Sequence, residues 1–95
     1  MTTLDLIIED PVGLHARPVS VLVNAIKEYE AEISMHHNEK KANEKSMLSI
    51  LQLGAHHGAQ VTVTIDGPES EAAYEALQAL FANELKQEFS VMSGE

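Results

Sequence analysis

Over the first nine residues Leu4, Leu6 and Ile8 alternate with Thr3, Asp5 and Glu9, the period of a strand with one buried face. Ile7 breaks the alternation, and Asp10-Pro11-Val12-Gly13 is turn chemistry that ends the strand. Val19, Leu22, Val23 and Ile26 then recur at i, i+3, i+4 and i+7, which predicts an amphipathic helix over residues 16–28. Pro18 fits its first turn, where a backbone N–H would have no intrahelical partner. Ile33 and Met35, flanked by Glu32 and Ser34, predict a second strand near 32–37, and Lys40 to Asn43 returns as a short third strand after a turn at Asn38-Glu39. Ser46 reads as the N-cap of a short helix from Met47 to Leu53, ended by Gly54. Val61, Val63 and Ile65 alternate with Thr62 and Thr64 as the clearest strand of the chain. Beyond Gly67-Pro68 the stripe Ala73, Ala76, Leu77, Leu80 and Phe81 predicts a last helix, with Glu69 and Glu71 at its dipole-positive start.

The predicted order is therefore β-α-β-β-α-β-α. Strands with one apolar face need a cover, and helices with one apolar stripe need something to cover. The arrangement that satisfies both is an α+β, two-layer open-faced sandwich: a four-stranded antiparallel sheet covered on one face by three helices, the other face open to water. With 95 residues, no repeat and no linker, a single domain over 1–95 is expected.

Composition narrows the function. Six Lys/Arg against fifteen Asp/Glu give a net charge of -9, which argues against a nucleic-acid module, since such modules need a basic footprint. The absence of Cys removes thiol catalysis, disulfide frameworks and Cys-built zinc sites, and suits a reducing compartment. Neither an export signal nor an apolar run of the ~18 residues that a membrane span needs is visible, so a cytoplasmic location without membrane insertion is expected. Residues 1–45 carry five basic and eight acidic side chains, net -3, whereas residues 46–95 carry Lys86 against seven acids, net -6. A site that handles anions thus belongs in the first half.

Gly13-Leu14-His15-Ala16-Arg17-Pro18 has the parts for one. Gly13 permits a tight approach, and His15 and Arg17 straddle the start of a helix whose first N–H groups lack partners. An imidazole with its ordinary pKa of about 6.5 offers a nucleophilic lone pair near neutral pH, and a guanidinium supplies permanent charge and planar donors for phosphoryl oxygens. The same residues fit a plainer reading, a loop histidine capping a helix with Arg17 as a solvated charge, because short motifs match by chance.

The run Gly13 to Pro18 closely resembles the active-site motif of the HPr family, the histidine-containing phosphocarriers of the phosphoenolpyruvate-dependent phosphotransferase system. Asn43-Glu44-Lys45-Ser46 followed by Met47 and Leu48, then Leu53-Gly54, resembles the family's second motif at its usual distance, and the likeness extends over residues 3–85. The resemblance implies that His15 accepts a phosphoryl group from enzyme I, which takes it from phosphoenolpyruvate, and passes it to an enzyme IIA-type acceptor. Arg17 would steady the phosphoryl, and the backbone amides of Ala16 and Arg17 would receive its oxygens. Such a protein is a transiently phosphorylated carrier rather than an independent turnover enzyme, needs no cofactor, and as a transient partner is expected to be monomeric.

Met47, Leu48, Ile50, Leu51 and Leu53 spread around more than one face of the short helix, so some must stay exposed. Ile50 and Leu53 are assigned to the core, and Met47, Leu48 and Leu51 to a partner-docking patch beside His15, extended by Ser20, Val21 and Asn24 of the first helix; ordinary packing is the competing explanation for Leu51 above all. Ser46, besides capping, matches the serine that a dedicated HPr kinase/phosphorylase modifies in some members. This supports a second reading, a regulatory interaction protein whose docking to a transcriptional regulator or enzyme follows Ser46 phosphorylation. His36-His37 and His56-His57 do not make a metal site, since adjacent strand residues point to opposite faces and no i, i+4 His pair occurs. The acids from Glu69 to Glu88 read as the wet face of the last helix. The chain departs from the family pattern at Glu39, where the hairpin usually carries Gly, at Val12, where a small polar residue usually precedes Gly13, and at Asn24 and Ser49, which lack the basic character of some members.

Overall fold

The computed structural model describes residues 2–43 and 46–94, so Glu44 and Lys45 of the second motif lie outside the described residues. The elements run β1 (Thr2–Ile8), α1 (Ala16–Ile26), β2 (Glu32–His37), β3 (Lys40–Asn43), α2 (Met47–Leu51), β4 (Gln60–Asp66), α3 (Ser70–Ala82) and β5 (Phe89–Gly94). The architecture is the expected open-faced sandwich, with one correction: the antiparallel sheet has five strands, in the order β3-β2-β4-β1-β5.

Period-2 alternation builds the core side of the sheet. Leu4 and Leu6 lie opposite Val63 and Val61, and Met35 opposite both Val63 and Ala42, all of them buried. Over this face pack Val19, Leu22 and Ile26 of α1, Ile50 of α2, and Ala73, Leu77, Leu80 and Phe81 of α3, in one contiguous core. Thr3, Asp5, Thr62, Thr64 and Ser34 occupy the other, polar face, where the Thr62 hydroxyl donates to the Asp5 carboxylate at 2.8 Å. The buried apolar area of some twenty side chains stabilises the fold, at about 25 cal/mol per Å² removed from water.

Both predicted helix ends fall short. α1 stops at Ile26, with Lys27 as its C-cap, and α2 stops at Leu51, with Gln52 as its C-cap. The Ser46 cap forms as expected, its Oγ accepting from the Ser49 amide at 3.3 Å. The Asn38-Glu39 departure is absorbed by Asn38, which takes the positive φ of 55° while Glu39 keeps a negative one; Asn tolerates that region, so no glycine is required at 39.

The fifth strand answers a problem the four-stranded arrangement left open. With β4 on one side, β1 would present its other edge unpaired. Phe89, Ser90 and Val91 fill that edge opposite Ile8, Ile7 and Leu6, and a bulge follows before Ser93 meets Asp5. Phe89 is buried, with its ring tilted at 56° against Phe81 at 5.1 Å between centroids, which anchors the strand to α3.

Candidate functional site

His15 is the N-cap residue of α1, with extended φ and ψ of -144° and 176° and no side-chain capping bond. Its carbonyl accepts from the Val19 amide at 3.2 Å, which starts the helical ladder. Ala16 and Arg17 follow as the first two helical residues, and Pro18, the third, has no N–H. Their two amides make no hydrogen bond among the described residues. The helix start therefore offers two free backbone donors beside an imidazole that does not use them. His15 does take the capping position of the plainer reading, but its side chain makes no capping bond.

The imidazole is instead held by Asp10. His15 Nε2 lies 3.0 Å from Asp10 Oδ2, and the Val12 amide donates to Oδ1 of the same carboxylate at 2.8 Å. The bracing of Asp10 uses the Val12 backbone and so does not depend on the side chain at 12, which is 72% exposed. The bond from His15 first, and that from Val12 next, hold the Asp10 carboxyl below the ordinary carboxylate value; the charges of His15 and Arg17 add to this, and burial opposes it. An ionised carboxylate only accepts, so in the neutral imidazole the proton is assigned to Nε2 and the lone pair to Nδ1. With 34% of its side chain exposed, His15 remains open to a partner.

The loop that aims His15 is fixed from below. Gly13 has φ of +88°, and a Cβ there would meet the Ala55 carbonyl oxygen at 2.7 Å, so both conformation and space demand glycine. Leu14 donates its amide to that same carbonyl at 3.2 Å. The segment after α2 thereby supports the histidine loop, and α2 itself packs on α1. Leu48 is 66% exposed, Met47 and Leu51 are half-buried against the core, and Ile50 and Leu53 are buried as assigned. On α1, Val21 is half-buried, Asn24 is exposed, and the Ser20 hydroxyl donates to the Arg17 carbonyl at 2.9 Å.

Arg17 is 59% exposed, and its guanidinium forms an ion pair with Glu88. This corrects the assignment of Glu88 to the wet face of the last helix: α3 ends at Ala82, and Glu88 is half-buried just before β5. Asp10 and Glu88 are the two site residues that sequence reasoning missed. An Asx turn, Asp10 followed by Pro11 with its carboxylate reaching the amide two residues on, was a usable signal for the first. Nothing local pointed to the second.

Three of the other four histidines are engaged separately. The His37 ring pairs through Nδ1 with the Gln60 carbonyl at 3.3 Å, His36 Nε2 lies 3.4 Å from the Thr64 hydroxyl, and His57 Nδ1 pairs with the Glu9 carbonyl at 3.1 Å. Among the described residues no three metal-capable side chains gather, and no helix is long and apolar enough to cross a membrane.

Comparison with known proteins gives a consistent picture. The family profile described as the HPr component phosphorylation site of the phosphotransferase system matches residues 2–83. The phosphocarrier protein HPr of Lysinibacillus sphaericus is 38% identical over 80 residues, covering 84% of this chain and 91% of its own. Among solved structures, a mycoplasma histidine-containing phosphocarrier superposes with a TM-score of 0.81 at 32% identity, over 86% of this chain and 93% of its own. HPr-C-His from Thermoanaerobacter tengcongensis does so with a TM-score of 0.81 at 31% identity, over 93% and 99%.

Proposed function

The chain belongs to the HPr phosphocarrier family of the phosphotransferase system, and we propose from this that His15 carries a phosphoryl group from enzyme I, charged by phosphoenolpyruvate, to a histidine of an enzyme IIA-type acceptor. One observation carries the reading: an imidazole tied through Nε2 to Asp10, and so presenting Nδ1, at the start of a helix with two unused amides. The Nδ1 lone pair attacks phosphorus in line as the donor's own bond to phosphorus breaks. The proton on Nε2 stays within reach of Asp10, whose negative charge stabilises the cationic ring of the product. The amides of Ala16 and Arg17 and the Arg17 guanidinium receive the phosphoryl oxygens. Transfer onward reverses these steps with the acceptor's nitrogen as nucleophile. Nothing in this sequence needs a cofactor, and the chain acts as a carrier rather than as an enzyme that turns over alone.

Leu48, flanked by Met47 and Leu51 and bordered by Ser20, Val21 and Asn24, forms the docking patch for both partners, small enough for rapid release. A cytoplasmic monomer suits such traffic. Ser46 favours a second, compatible reading: its hydroxyl caps α2 immediately before Met47 and Leu48, so a kinase/phosphorylase acting there would add charge beside the patch and redirect the protein toward a regulator.

The test is incubation with enzyme I and phosphoenolpyruvate, followed by site mapping. An acid-labile phosphate on His15, lost in His15→Ala with the fold retained, is the expected result; label that persists in His15→Ala overturns the site.

A further inference from the structure

Glu88 is placed by more than its carboxylate. Its backbone carbonyl accepts from the amides of Glu9, at 2.9 Å, and Asp10, at 3.3 Å, so the residue that pairs with Arg17 also braces the loop of the His15 partner. Its position is not free to drift. Leu85 and Phe89 on either side are buried, the Phe89 amide donates to the Leu85 carbonyl at 3.0 Å, and β5 then pairs with β1 from Phe89 onward. The Glu88 side chain is only 13% exposed, and its carboxylate occupies the one arginine of the chain. It lies beyond residues 2–83, over which the family profile matches.

We infer that Glu88, held by the fifth strand, is an internal counter-anion with which an arriving phosphoryl group must compete for Arg17, and that it thereby raises the tendency of the phosphorylated protein to give the group away. The unphosphorylated protein has Arg17 already satisfied. When the phosphoryl on His15 takes the guanidinium, the Glu88 carboxylate loses its partner and faces added negative charge; if Arg17 stays with Glu88 instead, the phosphoryl goes without its cation. Either way Glu88 weighs against the phosphorylated state, which in a carrier favours donation over storage. The inference rests on the carrier reading above, since it assigns Glu88 a role only in a His15 phosphorylation equilibrium. Glu88 is a positioning residue here, acting through Arg17.

Competition between two chains reads the effect directly. Isotope-labelled wild type and unlabelled Glu88→Gln are mixed in equal amounts with a catalytic quantity of enzyme I and limiting phosphoenolpyruvate. The phosphoryl group equilibrates between the two, and intact mass gives the ratio. The expected ratio favours Glu88→Gln by about two- to fivefold at low salt, the range for a partly exposed ion pair, and narrows as salt is added. Glu88→Asp returns it toward one. The Gln substitution keeps size and backbone, so thermal melting checks that both chains are equally folded. Equal phosphorylation of the two, or a ratio favouring wild type, overturns the inference and leaves the carrier reading standing. Absence of His15 label from both chains overturns the carrier reading itself, and the role of Glu88 falls with it.

Discussion

Asp10→Asn isolates the contact that makes His15 usable. The substitution keeps an oxygen to accept from Val12 but removes the charge that accepts from His15 Nε2 at 3.0 Å. A hydrogen bond to a charged group contributes about 1.5–3 kcal/mol, and because His15 is 34% exposed, water reduces this to about 1–2 kcal/mol. The same carboxylate faces the positive charge that the ring gains as Nδ1 attacks, and loss of that stabilisation from the transition state converts to a fall in the rate of His15 phosphorylation of about five- to thirtyfold, of which the shifted tautomer alone supplies about twofold. An Asn amide that turns its NH2 toward the ring would reverse the tautomer outright and push the loss to the upper end. Rapid-quench phosphorylation measures the rate, and nitrogen NMR of the two ring positions reads the tautomer independently. An unchanged tautomer with a rate within twofold of wild type refutes the reasoning. A pH signature accompanies it. The Asp10 carboxyl sits below its ordinary value of 3.8, so its pairing contributes stability above that value and loses it as the pH falls through the lower folded value. Below about pH 4, then, the wild type should lose stability more steeply than Asp10→Asn in urea titrations.

The docking patch and the cap give two further expectations. Leu48→Ala, at a residue 66% exposed, should alter unfolding free energy by no more than about 0.5 kcal/mol while weakening enzyme I binding by about three- to tenfold in calorimetry; Ile50→Ala two positions on, in the core, should cost about 2–4 kcal/mol in chemical denaturation. A binding loss confined to Ile50→Ala would remove the patch from Leu48. Ser46→Ala, which deletes the bond to the Ser49 amide, should cost about 1 kcal/mol in thermal melts, and Ser46→Asp, which preserves a capping oxygen, should restore most of it.

Local pattern went far here because the elements that matter most obey it. β1 and β4 alternate so regularly that Leu4, Leu6, Val61 and Val63 could be assigned to one face before any pairing was known, and they do meet across the ladder. α1 shows its stripe in Val19, Leu22 and Ile26, and Ser46 and Pro18 mark helix starts by the chemistry of unpaired amides. The helix ends lie two residues short of the pattern, because an apolar stripe marks burial and not backbone conformation: Leu53 stays buried although the helix has already ended at Leu51. β5 was missed for a different reason. Phe89 and Val91 are only two alternating positions, too few to distinguish a strand from a tail, and what makes them one is the vacant edge of β1, a feature that exists only after the rest has folded.

The same division runs through the site. His15, Ala16, Arg17 and Pro18 are contiguous, so a helix start with an imidazole and a cation beside it can be written down from six letters. The groups that decide how those residues behave are not contiguous. Asp10 sits five positions from His15, across a turn whose geometry depends on Gly13 passing under the Ala55 carbonyl. Glu88 reaches Arg17 from 71 positions away, and only because a strand invisible to periodicity holds its backbone against Glu9 and Asp10. Imidazole and cation come from the local motif, whereas the tautomer of one and the occupancy of the other come from carboxylates supplied by tertiary structure. If Asp10 and Glu88 act as proposed, two members of such a family that share every letter from Gly13 to Pro18 should still differ in how readily they release a phosphoryl group when their chains differ near residues 10 and 88.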